Sequence, residues 1–442
     1  MKPIVYREKG YQIILVPMKD EKTVYVRSTI HGGNAAETKN TSGIAHLMEH
    51  ALTDAWKTCP YMNHKKCREY WHDKGTTSNA YTGDNDIVYY IQGFSDLTEN
   101  MIDYIVTISA APFISSKVIK EEKSPVLNEL LMYKNKTYSR LHQQRYEMIY
   151  CNEGLMHYEN WETQIKNLKK LHRKDIVKFF REVYTPQNIS FIVAGNFDVR
   201  RAKQRLKGLL AQADYYTRYG EKNTVKPDSA DTWQNKRLTK PYLNEGNDFR
   251  SIVNHKTDKT AIELWYTLDI EKVKDYDVFF PIFKHLLTSG FSSLLLKHLR
   301  TNLNLVYSIS VKLHEGPYGI LIQFSTSCVP KKEEKVIREI MKKLTSLCRN
   351  LDKKMFENAK KVYELHYLNN RQNAAWLGNF YANQYFNKSR RKKVDIYGPE
   401  EQLKAIKTVS KSKMSKILCT FFTKSNLKII CEGPDKVDFS FN

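Results

Sequence analysis

The chain is predicted to be an α+β protein built from two copies of one unit, because it contains an internal repeat and alternates strand-like with helix-like blocks. Residues 171–195 align with residues 409–433, matching Lys178 with Lys416, Thr185 with Thr423, Asn188 with Asn426, Ile192 with Ile430 and Gly195 with Gly433. Each copy reads as an apolar-periodic helix, a short turn, a β-branched strand and a glycine stop. Segments 11–16, 24–30, 86–92 and 189–194 read as strands and alternate with helical blocks. Each half is therefore expected to form a mostly antiparallel sheet with helices packed on one face. The halves run over 1–215 and 251–442. Between them, residues 216–250 mix prolines, asparagines and charges without a clear period, as a linker does.

Composition bounds the function. At 442 residues, 41% hydrophobic and 12% aromatic, the chain can bury substantial cores. No apolar run is long enough to span a membrane, and the first residues show neither a secretory core nor a serine-rich import leader. A cytoplasmic protein with no membrane partner is expected. Seven cysteines without repeating spacing argue for free thiols in a reducing compartment. The net charge of +23 favours anionic partners, and residues 388–393 are its densest run. No stacking aromatics are interleaved with it, so charge tunes substrate preference and does not define a nucleic-acid partner.

The chemistry is concentrated in residues 46–50, His-Leu-Met-Glu-His. On a helix, His46 and His50 share one face and can aim ring nitrogens at one metal ion, with Glu49 close enough to reach its water. A catalytic zinc takes a third protein ligand. Glu122 and Glu129 lie two helical turns apart further along, so one can bind the ion while the other orients a ligand histidine. Cys59, His64, Cys67 and His72 form a second cluster, but Cys67 and Trp71 share the inner face of an amphipathic segment and read as packing.

These motifs resemble those of the pitrilysin-type inverzincins, which include insulin-degrading enzyme and the mitochondrial processing peptidases. The resemblance implies one zinc per chain bound by His46, His50 and Glu129, with Glu49 as general base and Glu122 behind a ligand. Residues 75–82 resemble the family's strand that pairs with substrate backbone, which assigns that role to Asn79, Ala80 and Thr82. Residues 299–307 resemble its R-x6-Y element, in which Arg300 grips substrate carbonyls and Tyr307 steadies the tetrahedral intermediate. There are two departures. Pro125 falls between the paired glutamates and tends to kink a helix, and Leu52-Thr-Asp-Ala-Trp-Lys replaces the family's turn after the motif.

The second half carries no H-x-x-E-H, and Ala359 and His366 stand near the places of Glu122 and Glu129. With Arg300 and Tyr307 supplied by that half, the resemblance implies two domains face to face around a cavity. It also implies an endopeptidase acting on extended peptides or unfolded segments, paired as a homodimer or with a related subunit. The alternative is a catalytically silent member that serves as an assembly or peptide-binding subunit.

Overall fold

A computed structural model describes residues 2–53, 70–150, 159–219, 243–269, 276–288, 293–315, 319–388 and 397–441. It shows two compact units, each built on one sheet. The first sheet uses β1 (Ile4–Glu8), β2 (Tyr11–Pro17), β3 (Thr23–His31), β4 (Thr77–Thr82), β5 (Asp86–Phe94) and β6 (Ile189–Gly195), in the order β1-β2-β6-β3-β5-β4. The second uses β7 (Asp248–Val253), β8 (Thr260–Asp269), β9 (Ile309–Glu315), β10 (Gly319–Cys328) and β11 (Leu427–Gly433), in the order β7-β11-β8-β10-β9. Apart from β1, the orders are superimposable, and in both sheets only one pair is parallel, β2 with β6 and β7 with β11. The repeat in the sequence is thus a repeat of topology. All four expected strands of the first half are present.

Sequence and space part company at one helix per half. The first unit comprises Met1–Met132, Gly154–Lys240 and Asn370–Pro399; the second comprises Tyr133–Glu153, Pro241–Asn369 and Glu400–Asn442. Helix Ala374–Lys388, from the second half, packs on β2, β6 and β3 of the first sheet. Its counterpart in chain order, helix Ser139–Ile149 of the first half, packs on β7 and β11 of the second. The division of the chain at 216–250 therefore does not coincide with the division into compact units.

The exchange explains why β3 is buried on both faces. Val24, Val26 and Ile30 point into the main core beneath helices Ile44–Thr53, Thr98–Ala110 and Arg173–Val183. Tyr25 points the other way, into a core with Ile14, Val16, Ile192, Leu377 and Tyr381. Each such side chain contributes about 1.5–3 kcal/mol on burial, so helix Ala374–Lys388 closes an apolar face that the expected single layer of helices leaves open. On the second sheet, Leu141, Met148 and Ile149 play the same part against Ile252, Ile430, Trp265 and Leu321.

Polar groups fix both exchanged helices. Arg27, 2% exposed, donates to Asn379 Oδ1 at 2.6 Å. Glu432, fully buried, accepts from the Leu141 backbone N–H at 2.9 Å, and Arg145 reaches both oxygens of Glu263 at 3.3 Å. The expectation of free thiols holds for the buried Cys328 and Cys431 but not for Cys348 and Cys419, which form a disulfide between helices Glu333–Arg349 and Lys411–Phe421. Their two chain segments are brought within 4.9 Å at Cα, a spacing that supports the bond. Among the described residues no helix is long and apolar enough to cross a membrane.

Candidate functional site

The site begins with the packing of helix Ile44–Thr53. Ile44, Ala45, Leu47, Met48, Ala51 and Leu52 are buried, so the helical period leaves His46, Glu49 and His50 together on the remaining face. Gly43, at φ +90°, turns the chain into the helix. The carboxylate of Glu37, 4% exposed, then receives the backbone N–H groups of Gly43 at 3.0 Å and Ala45 at 2.9 Å. This satisfies two donors that a helix start leaves unpaired. Burial pushes the Glu37 carboxyl up to about 7, against the pull of those two hydrogen bonds.

Helix Ser116–Asn135 supplies the carboxylates and continues through Pro125. His46 Nε2 lies 3.4 Å from Glu129 Oε2, and His50 Nε2 lies 3.7 Å from Glu129 Oε1. The three donors are mutually within 4.8 Å. Two donors each about 2.1 Å from one ion at a tetrahedral angle stand about 3.4 Å apart, so this set fits a zinc. Glu122, 8% exposed, places Oε2 3.5 Å from His50 Nδ1, on the ring edge opposite the metal-facing nitrogen. That is the contact that orients a ligand imidazole.

The electrostatics suit ligation. Burial and the neighbouring His50 pull the His46 imidazole down to about 4, leaving its lone pair free at neutral pH. Burial also lowers His50, but Glu122, Glu49 and Glu129 outweigh it and raise its pKa overall. Glu49 is raised chiefly by burial, with Thr82 and His50 opposing. Thr82 Oγ1 donates to Glu49 Oε2 at 2.8 Å, tying the glutamate to β4.

Of the residues assigned to substrate, Asn79, Ala80 and Thr82 lie on β4, the edge of the first sheet. Asn79 Oδ1 accepts from the Ala80 backbone N–H at 2.8 Å. In the second unit, the Arg300 guanidinium lies 4.7 Å over the ring of Tyr307, which is 77% exposed. Cys59, His64, Cys67, residues 389–393 and the turn after the motif lie outside the described residues. Trp71 is buried as expected and His72 is exposed. Sequence reasoning missed Glu37 and the Thr82–Glu49 contact. Glu37 precedes its helix by too many residues for a capping-box spacing to reveal it, and the Thr82 contact spans elements far apart in the chain.

The fold and this donor set define a class of metallopeptidase-like proteins. Residues 13–157 match the family described as Insulinase (Peptidase family M16), and residues 170–363 match that described as Peptidase M16 inactive domain. The chain belongs to this pitrilysin-type family. It is 22% identical over 74% of its length to an uncharacterized zinc protease of Rickettsia bellii, covering 73% of that protein. Over 40% of its length it is 23% identical to a probable mitochondrial-processing peptidase subunit beta of Schizosaccharomyces pombe, covering 37% of it. A protease from Helicobacter pylori shares the fold with a TM-score of 0.81 at 17% identity, covering 98% of this chain and 99% of that one.

Proposed function

We propose that the protein is a zinc-dependent endopeptidase that cleaves extended peptides or unfolded protein segments. The reading is carried by one observation: His46, His50 and Glu129 converge with metal-binding spacing beside a glutamate that the same helix presents. A zinc bound there supplies Lewis acidity toward a carbonyl oxygen and lowers the pKa of a water. Glu49 takes a proton from the attacking water and returns it to the leaving amine, and burial shifts its pKa upward, the direction that favours holding that proton. Thr82 holds its carboxylate in place. Glu122 orients His50 through Nδ1.

Strand β4, last in the first sheet among the described residues, takes the substrate as an added strand, since backbone pairing accepts many sequences. Arg300 contributes substrate binding and Tyr307 a hydrogen bond to the developing oxyanion. A homodimer or a pair with a related chain fits a family that includes a protein named as a peptidase subunit. Purified protein should hold one zinc per chain by elemental analysis and cleave unstructured peptides detected by mass spectrometry. Full zinc loading with no cleavage of any peptide would favour the silent assembly subunit.

A further inference from the structure

Among the described residues Arg27 is the most buried arginine of the first unit, 2% exposed, and the acceptors described around it are neutral. Its Nε donates to Thr29 Oγ1 at 2.9 Å, Nη1 to Asn379 Oδ1 at 2.6 Å and Nη2 to Asn383 Oδ1 at 3.5 Å. Its charge also acts on the hydroxyls of Tyr25 and Tyr81, and at Tyr81 the Asp86 carboxylate acts in the opposite sense. A buried cation without an anion costs several kcal/mol.

The second unit shows what the pairing looks like when it is complete. Arg27 faces Ile192 across β3 and β6, and Glu263 faces Ile430 across β8 and β11. Since Ile192 and Ile430 are repeat mates, Arg27 and Glu263 occupy the same place in the two sheets. There Glu263 meets Arg145 of the exchanged helix. In the first unit the arginine comes from the sheet, and its exchanged helix answers with asparagine carbonyls only. Among the described residues, the carboxylate that completes the pair in one unit has no counterpart in the other.

The position of that charge suggests where a carboxylate would come from. Arg27 pairs with Tyr90, and Tyr90 with Asn79, so a row on one sheet face runs from Arg27 to edge strand β4. Tyr81 stands on the same face as Asn79, two residues along β4, and is 44% exposed. Thr82 points to the other face, toward Glu49. A peptide added to β4 sends alternate side chains to the two faces, so the residues next to one facing the metal site face Tyr81.

We infer that this shelf is a specificity subsite for a carboxylate side chain of the peptide. The Tyr81 hydroxyl donates to the carboxylate, and Arg27, whose charge bears on that hydroxyl from the same sheet face, is its positioning residue. The inference rests on the peptidase reading and names its substrate class: peptides with Asp or Glu at an alternate position beside the cleaved bond. A hydrogen bond to a charged group, rather than to its neutral amide analogue, then separates Glu from Gln.

The test uses zinc-loaded full-length protein and peptides that differ only by Glu or Gln, one position at a time. At one position kcat/KM should favour Glu by about tenfold. Tyr81→Phe should bring that ratio near one, and because both peptides meet the same enzyme, a loss of folded protein cancels. Arg27→Lys, which keeps a cation, should retain part of the preference, whereas Arg27→Gln should abolish it. Equal rates for Glu and Gln at every position, or an unchanged ratio in Tyr81→Phe, overturn the subsite and leave the peptidase reading standing. Zinc-loaded protein that cleaves none of the peptides overturns both.

Discussion

The two units share a strand order and differ at the helix that carries the chemistry. Buried Leu47, Met48, Ala51 and Leu52 of helix Ile44–Thr53 correspond in spacing to buried Ile282, Phe283, Leu286 and Leu287 of helix Tyr276–Thr288. In that register Pro281 stands for His46, Lys284 for Glu49 and His285 for His50. Helix Lys353–Asn370 likewise buries Phe356, Tyr363 and Tyr367 where helix Ser116–Asn135 buries Ile119, Val126 and Leu130, which puts Ala359 for Glu122 and His366 for Glu129. His285 and His366 remain neighbours, with ring centres 6.4 Å apart. Only the first unit, among the described residues, gathers three donors. The apolar half of each helix is preserved because the sheet beneath it must still be covered. The polar half was free to change, so the same scaffold carries a candidate metal site in one unit and Lys284 in place of Glu49 in the other.

The largest expected effect breaks this contrast at its sharpest point. Glu49→Gln keeps all three donors and removes the base, so zinc content should stay at one per chain while kcat falls by roughly three or more orders of magnitude. Near wild-type turnover would remove Glu49 from the mechanism. Converting His50 to Ala should instead abolish high-affinity zinc, whereas His285→Ala, its counterpart in the second unit, should leave the zinc content unaltered. Elemental analysis of the two variants distinguishes them, and equal zinc loss in both would sink the asymmetry.

The exchanged helices set the next expectation. Residues 1–215 alone lack helix Ala374–Lys388, exposing Ile14, Val16, Tyr25 and Ile192 and leaving Arg27 without Asn379. This fragment should aggregate or show broad, poorly dispersed NMR spectra, and adding a peptide spanning 370–388 should improve solubility. A well-folded isolated fragment would show that the second face of the first sheet needs no cover. A smaller effect, roughly ten- to a thousandfold in turnover with zinc retained, is expected for Tyr307→Phe. A change below twofold would separate Tyr307 from the chemistry.

Much of the candidate metal site was legible in the sequence because it is local: four-residue spacing on one helix and seven-residue spacing on another place His46, His50, Glu122 and Glu129 without knowledge of the fold. Strands β2, β3, β5 and β6 announced themselves by β-branched runs bounded by turns. The exchanged helices did not, since Ala374–Lys388 has only a weak apolar stripe and periodicity does not say which sheet a helix covers. The Arg27 cluster and the Cys348–Cys419 bond were hidden because each joins segments far apart in the chain, and Glu37 because it stands outside the spacing of a capping box.

The smallest expected effect concerns the other exchanged helix and acid stability. His142, on helix Ser139–Ile149, is pulled down to about 3 by burial and by Arg145, below the ordinary histidine value near 6.5. Between those values the unfolded chain binds a proton that the folded one does not, so stability rises with pH there. His142 therefore imposes no penalty above pH 6.5, and its destabilising effect grows as pH falls toward 3. Glu432, which receives the N–H of Leu141 on the same helix, is raised by burial and acts in the opposite sense. The absolute pH slope mixes the two, so the comparison of wild type with His142→Gln isolates the histidine. Denaturant unfolding should show the variant gaining about 1–2 kcal/mol relative to wild type on going from pH 7 to pH 5. Parallel pH curves for the two proteins would mean that His142 takes its proton in the folded state and that the helix seated on β7 and β11 is less tightly packed than helix Ala374–Lys388 on its own sheet.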